Sequence, residues 1–420
     1  MQNTTIYMKK ILLLLIICTQ QLFAQENLLK ELKNTHQFNQ MDSLNEQIKT
    51  KAYSFYKAVY LNATNKPKAS LKQLKNKNND YLKDSYEYVK LLNDNAIKTF
   101  NYPLANETAK QLITTFKNEF NEAELNDEIN NQRIWEILTT TPPQTISTFN
   151  TVEIKTQKDL AGLITVQVNN NGYSSDFVFD TGAGLNCITE TQAKKLGINI
   201  LPANQIEVES FTGQKSKVKI GVAKNILIGN IIINNAIFLV YPDEAFSFAN
   251  GQYKINGIIG FPIIKELGTI TIEEQQITAK KDKNSFQGRK NFFVEQLRPI
   301  VVIEFQGKKI PCNFDSGADS SLFTKSFYDI FQSYIDQNGI DEQMKSSSAG
   351  AEVIQKEVKV LENENLKIGN TTITLPEFII DTSNYGVYGK VNYGNIGQDI
   401  LSQFKKVTLS FDHNYIRLEN

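Results

Sequence analysis

Cysteine, histidine and net charge are all scarce in this 420-residue chain. The three cysteines are Cys18, Cys187 and Cys312, and the first lies in an N-terminal stretch that reads as removable. The other two could form one disulfide in an exported protein, but each lies in an apolar, strand-like run, which favours two buried free thiols. No Cys/His spacing suits a metal site, and nothing in the sequence calls for a cofactor. Two histidines, His36 and His413, leave little material for a His-based triad, and both read as surface residues. Lys and Arg total 45, as do Asp and Glu. That balance gives no reason to expect nucleic acid or an anionic membrane as partner. Long apolar runs are also missing. Ile11 to Ile17 is too short for a bilayer, which needs about twenty apolar residues, and no other stretch reads as a stable span.

What is present begins with a targeting pattern. Met8-Lys9-Lys10 supplies a basic start, Ile11 to Ile17 an apolar run, and Leu22-Phe23-Ala24 a small residue at a cleavage point. Residues 1–25 are therefore expected to be a signal peptide, and the mature chain an exported periplasmic or extracellular protein. Ile17 stands before Cys18 where a lipid-anchoring signal wants a small residue, which argues against lipoprotein anchoring. The Asn-, Lys- and Ile-rich texture resembles exported bacterial proteins of the Bacteroidetes.

Residues 26–143 lack long alternating segments and read as helical hairpins, loosely like tetratricopeptide repeats but without a clean 34-residue period. Helices are expected over Lys51 to Asn62 and Tyr81 to Leu92, and Pro103 is expected to open another carrying Leu104, Ala109, Leu112 and Phe116. Two roles stay open for this region: binding a peptide or protein partner, or serving as a packing or pro-segment domain. Thr140-Thr141-Pro142-Pro143 reads as a hinge.

From Thr151 the pattern becomes β, and it repeats. Phe177-Val178-Phe179-Asp180-Thr181-Gly182-Ala183 is echoed by Cys312-Asn313-Phe314-Asp315-Ser316-Gly317-Ala318. Each is an apolar strand delivering an Asp into a tight Asp-Thr/Ser-Gly turn. Eighty residues after Asp180 stands Gly260, in Gly257-Ile258-Ile259-Gly260, and 82 after Asp315 stands Gly397, in Gly394-Asn395-Ile396-Gly397. Between them, Leu227-Ile228-Gly229-Asn230 answers Leu366-Lys367-Ile368-Gly369-Asn370. A repeat this long is the size of a lobe rather than a solenoid unit. Hairpins are expected before each Asp, over Leu163 to Phe179 and Val301 to Phe314. Ile206 to Val218 is expected as a flap, with Ser346 to Val353 as its counterpart. Each lobe is expected to close on its own late strand pair, Thr269 to Thr278 and Val407 to Leu418, with a linker at Lys281 to Lys290.

At these residues the chain resembles bacterial retropepsin-like and pepsin-like aspartic proteases, with two lobes in one polypeptide. Asp315-Ser316-Gly317-Ala318-Asp319 is similar to the active-site pattern of that family, and Ile396-Gly397-Gln398-Asp399-Ile400-Leu401 to its later glycine motif. The resemblance covers Thr151 to Asn420. It implies a multidomain α+β protein: the helical domain, then a mainly-β bilobal fold with pseudo-twofold symmetry, lobe 1 at 150–285 and lobe 2 at 296–420. It implies an endopeptidase in which Asp180 and Asp315 activate a water, and a single chain as the active unit. Thr181 and Ser316 would tie the two loops together, and Gly182 and Gly317 would let them approach. Ala183 and Ala318 would stand where many relatives carry a hydroxyl. Gly260 and Gly397 would lie behind the loops, and Asp319, Gly213 and Gly350 would contact substrate. Gly184 departs from the pattern at the position matching Asp319, and Asn395 departs where an aliphatic residue is usual.

Two rival readings remain. The aspartates could be turn formers in duplicated β domains, or the lobes could be a pseudoprotease that binds peptides without cutting them.

Overall fold

The computed structural model describes residues 24–202, 206–209, 215–284, 286–288, 290–346, 354–383 and 393–420. Most of the expected signal segment, together with Gly213, Gly350 and the tips of both expected flaps, lies outside these residues. The chain divides into two compact units, one ending at Asn95 and the other running from Ala96 to Asn420.

The first unit is helical. Helix α1 covers 24–34, α2 Phe38–Ile48, α3 Tyr53–Ala63 and α4 Pro67–Leu74, and a 3₁₀ turn over Lys77–Leu82 precedes α5, Tyr86–Lys98. Pro67 opens α4, a position where its missing N–H is no loss. Asn76 caps the 3₁₀ turn by accepting from the Asn78 amide, so the polar Lys75 to Asp80 stretch does interrupt the helices. Tyr81, expected to begin a helix, is instead in this turn and 45% exposed. A buried polar chain joins α3, α4 and α5. Asn62 Nδ2 donates to Asn95 Oδ1 at 3.0 Å, Asn95 Nδ2 donates to Ser70 Oγ at 2.9 Å, and Ser70 Oγ donates to the Ala58 carbonyl at 2.7 Å. Such groups are tolerated inside a core because each finds a partner. His36 is buried rather than on the surface, and its φ of 56° lets the chain turn between α1 and α2.

The second unit joins the last two helices of the N-terminal stretch to the β region. Helix α6, Tyr102–Thr115, starts at an Asn101 cap with proline in its first turn, and α7, Glu122–Ile137, starts at an Asn121–Glu124 capping box. Tyr102 and Trp135 stack with centroids 6.3 Å apart. They join one apolar cluster with Val178, Cys187, Ile237 and Ile258. Lys98 Nζ donates to the Val294 carbonyl at 3.2 Å, and Gln144 Nε2 to the Pro262 carbonyl at 2.9 Å. So α6 and α7, which belong to the helical stretch by sequence, are built into the same core as the strands.

Both hairpins before the aspartates form as expected. Ile164–Asn170 and Tyr173–Phe179 pair across Asn171-Gly172, while Arg298–Phe305 and Lys308–Phe314 pair across Gln306-Gly307. Each two-residue turn has positive φ at both positions, 51° and 77° in one and 47° and 76° in the other, the backbone that matches strand twist. Each second strand then pairs in parallel with a late glycine strand, Val178 beside Ile258 and Asn313 beside Asn395.

The closing strands differ from expectation. Lys406–Ser410 pairs antiparallel with Thr269–Glu273, so the C-terminal hairpin joins the sheet of the first half instead of closing the second. Ile270, Leu409, Ile277 and Phe411 are buried there, and the alternating apolar face of the C-terminal strand is covered by that pairing. His413 is mostly covered too, 3.6 Å from Asp282. Cys187 and Cys312 are buried free thiols. No helix among the described residues is long and apolar enough to cross a membrane.

Candidate active site

The apolar strands Tyr173–Phe179 and Lys308–Phe314 end in the core and deliver Asp180 and Asp315 into turns that meet face to face. Backbone bonds fix where each aspartate leaves its strand: the Asp180 amide donates to the Ile259 carbonyl at 3.0 Å, and the Asp315 amide to Ile396 at 2.9 Å.

Four hydrogen bonds lock the two turns together. The Thr181 amide donates to Ser316 Oγ at 3.1 Å, and the Ser316 amide donates to Thr181 Oγ1 at 3.0 Å. Thr181 Oγ1 donates onward to the Phe314 carbonyl and Ser316 Oγ to the Phe179 carbonyl, each at 2.7 Å. Both side chains are fully buried. Each hydroxyl thus accepts from one main chain and donates to the same neighbouring loop, which a hydroxyl can do and no other small side chain can.

The two carboxyls face each other, each lying against the glycine of the opposite turn. Asp180 Oδ1 accepts the amides of Gly182 and Ala183, at 2.7 and 3.0 Å, and Asp315 Oδ1 accepts the amide of Gly317 at 2.9 Å. Burial pushes the Asp180 carboxyl up from its ordinary range, while the bond from Asp315 and the two amides pull it back. Burial raises Asp315 well above its ordinary range, and the charge and acceptor of Asp180 raise it further. The two acids titrate as one coupled pair, with Asp315 the more strongly raised.

The later glycines lie against the two turns. A Cβ on Gly260 would be 2.7 Å from the carbonyl oxygens of Ala183 and Leu185, and one on Gly397 would be 2.7 Å from Ser320. The chain behind each turn bonds to it, Phe261 amide to the Ala183 carbonyl at 2.8 Å and Gln398 amide to Ala318 at 2.9 Å. Asp319 is exposed and accepts from Ser320 Oγ at 3.1 Å, and the space above Gly184 is bordered by Leu297.

Several supporting residues escaped the sequence reading. Asn186 Oδ1 accepts the Gly260 amide at 2.8 Å, and Ser321 Oγ accepts the Gly397 amide at 3.0 Å while donating to Asp399 Oδ1 at 2.7 Å. Gln398 Nε2 donates to the Ser316 carbonyl at 2.8 Å. A signal existed for two of them, since Asn186 and Ser321 both stand six places after their aspartate. Asn395, noted only as a departure, donates from Nδ2 to Asp315 Oδ2 at 3.1 Å.

The hairpin expected as the first flap pairs Ile206 with Val218, and α7 packs against it. Between them is a cavity of about 460 Å³ lined by Ala123, Asn126, Asp127, Asn130, Val208 and Lys215, with neither Asp180 nor Asp315 in its wall. On the other side, Ile340–Ser346 pairs with Ile354–Ile368, with Ser346 opposite Ile354.

Paired acids that share one proton can hold and polarise a water without a covalent step. No curated protein matches the chain. Residues 164–263, from the strand before Asp180 through Gly260, match the family model described as aspartyl protease, which supports an aspartyl protease domain in this chain.

Proposed function

We propose that this chain is an exported bacterial aspartic endopeptidase of the bilobal, pseudo-twofold retropepsin-like or pepsin-like type, with Asp180 and Asp315 as its catalytic pair. The observation that carries this reading is the reciprocal bonding of Thr181 and Ser316, which brings both aspartates to one point within one chain.

Ionised Asp180 takes a proton from a water held between the carboxyls, and the water oxygen attacks the peptide carbonyl carbon. Asp315 donates its proton toward the carbonyl oxygen and stabilises the tetrahedral intermediate. Collapse of that intermediate breaks the C–N bond as a proton passes to the leaving nitrogen. Asp319 and the expected flap residues Gly213 and Gly350 are assigned to the substrate backbone. The substrate is a peptide or protein, the active unit is monomeric, and the helical unit before Asn95 offers a surface for a protein partner.

Hydrolysis of a mixed peptide library by the mature chain, from about pH 3 to about pH 8, tests this reading beside Asp180→Asn and Asp315→Asn. Loss of cleavage in both folded variants is the expected result. A parent chain that binds peptides without cutting them at any pH would replace the endopeptidase with a binding module.

A further inference from the structure

Behind the two aspartates the backbone is alike and the side chains are not. In the first half, the parallel register sets Val178 beside Ile258; in the second it sets Asn313 beside Asn395. Both asparagines are more than nine-tenths buried. Apolar packing alone does not need amides there, as Val178 and Ile258 demonstrate. Asn313 Oδ1 is buried without a hydrogen bond among the described residues, so the polar pair weakens the second half where an apolar pair would not.

Asn395 turns its amide toward the second aspartate. Its Nδ2 reaches Asp315 Oδ2, the oxygen of that carboxyl other than the one bonded by the Gly317 amide. Ile258, at the matching position beside Asp180, can donate nothing. We propose that Asn395 is a positioning residue for the pair: it holds Asp315 in one orientation toward Asp180 and makes the two acids chemically unequal. This rests on the reading of Asp180 and Asp315 as a hydrolytic pair.

The physical role follows from which form the amide favours. An N–H donor stabilises an ionised carboxylate more than a neutral carboxyl. It therefore opposes burial and the Asp180 charge, which both favour the protonated form of Asp315. An acid that must release its proton and regain it in every turnover benefits from that opposition. The other titratable groups around Asp315 are Asp180 across the pair, exposed Asp319 on the same loop, Asp399 on the helix behind it, held by Ser321, and buried Cys312 on its own strand. Cys187, in the first half, is exposed to the charge of Asp180.

The test compares parent and Asn395→Ile, the residue found in the first half. The alkaline limb of the kcat/KM profile on a peptide substrate is expected to move up by about one pH unit. A second measurement needs no turnover: thermal stability against pH for the parent, Asn395→Ile, Asp315→Asn and the double variant. The destabilisation by Asn395→Ile is expected to grow as pH rises through the titration of Asp315, and to be flat with pH once Asp315 is Asn. A fixed alkaline limb together with a flat stability difference in both backgrounds overturns the proposal and leaves the endopeptidase reading intact. A chain that cleaves nothing yet shows the pH-dependent coupling retains the hold of Asn395 on Asp315 and loses the hydrolytic reading instead.

Discussion

The Cβ that Gly182 lacks would stand 2.3 Å from Cγ of Asp315, and the Cβ that Gly317 lacks would stand 2.3 Å from Cγ of Asp180. Each glycine is thus the floor on which the opposite carboxyl rests. The requirement is one of space: neither glycine has a positive φ.

Replacing either glycine by alanine forces the facing carboxyl away. Gly182→Ala and Gly317→Ala are each expected to cost about 1–3 kcal/mol of stability and to lower kcat/KM by about a hundredfold, because displacement of a catalytic group by an ångström is enough for that. Urea unfolding and steady-state kinetics on the same preparations measure both.

Removing one grip hydroxyl strands two buried main-chain groups. Thr181→Ala leaves the Ser316 amide and the Phe314 carbonyl without their partners, at about 1–3 kcal/mol for each buried group left unsatisfied. Thr181→Ser keeps both bonds and is expected to stay near the parent. In a double-mutant cycle with Ser316→Ala the losses should be non-additive by at least about 0.5 kcal/mol, since the four bonds form one network.

The pair also makes stability depend on pH in a definite direction. Asp315 is raised well above its ordinary carboxylate range, so the folded chain binds more protons than the unfolded one above about pH 4. Stability should therefore fall as pH rises from there through the folded-state titration of Asp315. Asp315→Asn should remove most of that slope, which melting temperatures across the pH range will reveal.

With alanine at 183 and 318, neither carboxyl receives a hydroxyl donor from those positions. Fewer donors to the ionised form keep the apparent pKa values of the pair high. Peptide hydrolysis is expected to extend toward mildly acidic or near-neutral pH, and an optimum below about pH 3 would refute this.

Truncation should separate the two compact units at Asn95 and not at the Pro142-Pro143 pair. A chain starting at Ala96 retains Tyr102, Ile134, Trp135 and Leu138, all buried against the strands. A chain starting at Thr151 loses them. At about 1.5–3 kcal/mol for each large buried side chain, that loss consumes most of the about 5–15 kcal/mol by which a domain is stable. Circular dichroism and melting of the two truncations check this, and Trp135→Ala should cost about 3–5 kcal/mol by itself.

The sequence by itself determined the local devices: two strand–turn–strand units with glycine at positive φ, two Asp-hydroxyl-Gly turns, the glycines behind them, and the proline and asparagine starts of α4 and α6. Each is set by a few adjacent residues whose backbone preferences and hydrogen-bonding groups act on their own neighbourhood. Tertiary structure decided the rest. The destination of the C-terminal strand, the packing of α6 and α7 into the strand core and the meeting of Asn395 with Asp315 all depend on segments far apart in the chain. An apolar face or a buried amide specifies that it needs a partner, not which one. The choice is made by register and packing, where every covered face and every paired polar atom must be satisfied together.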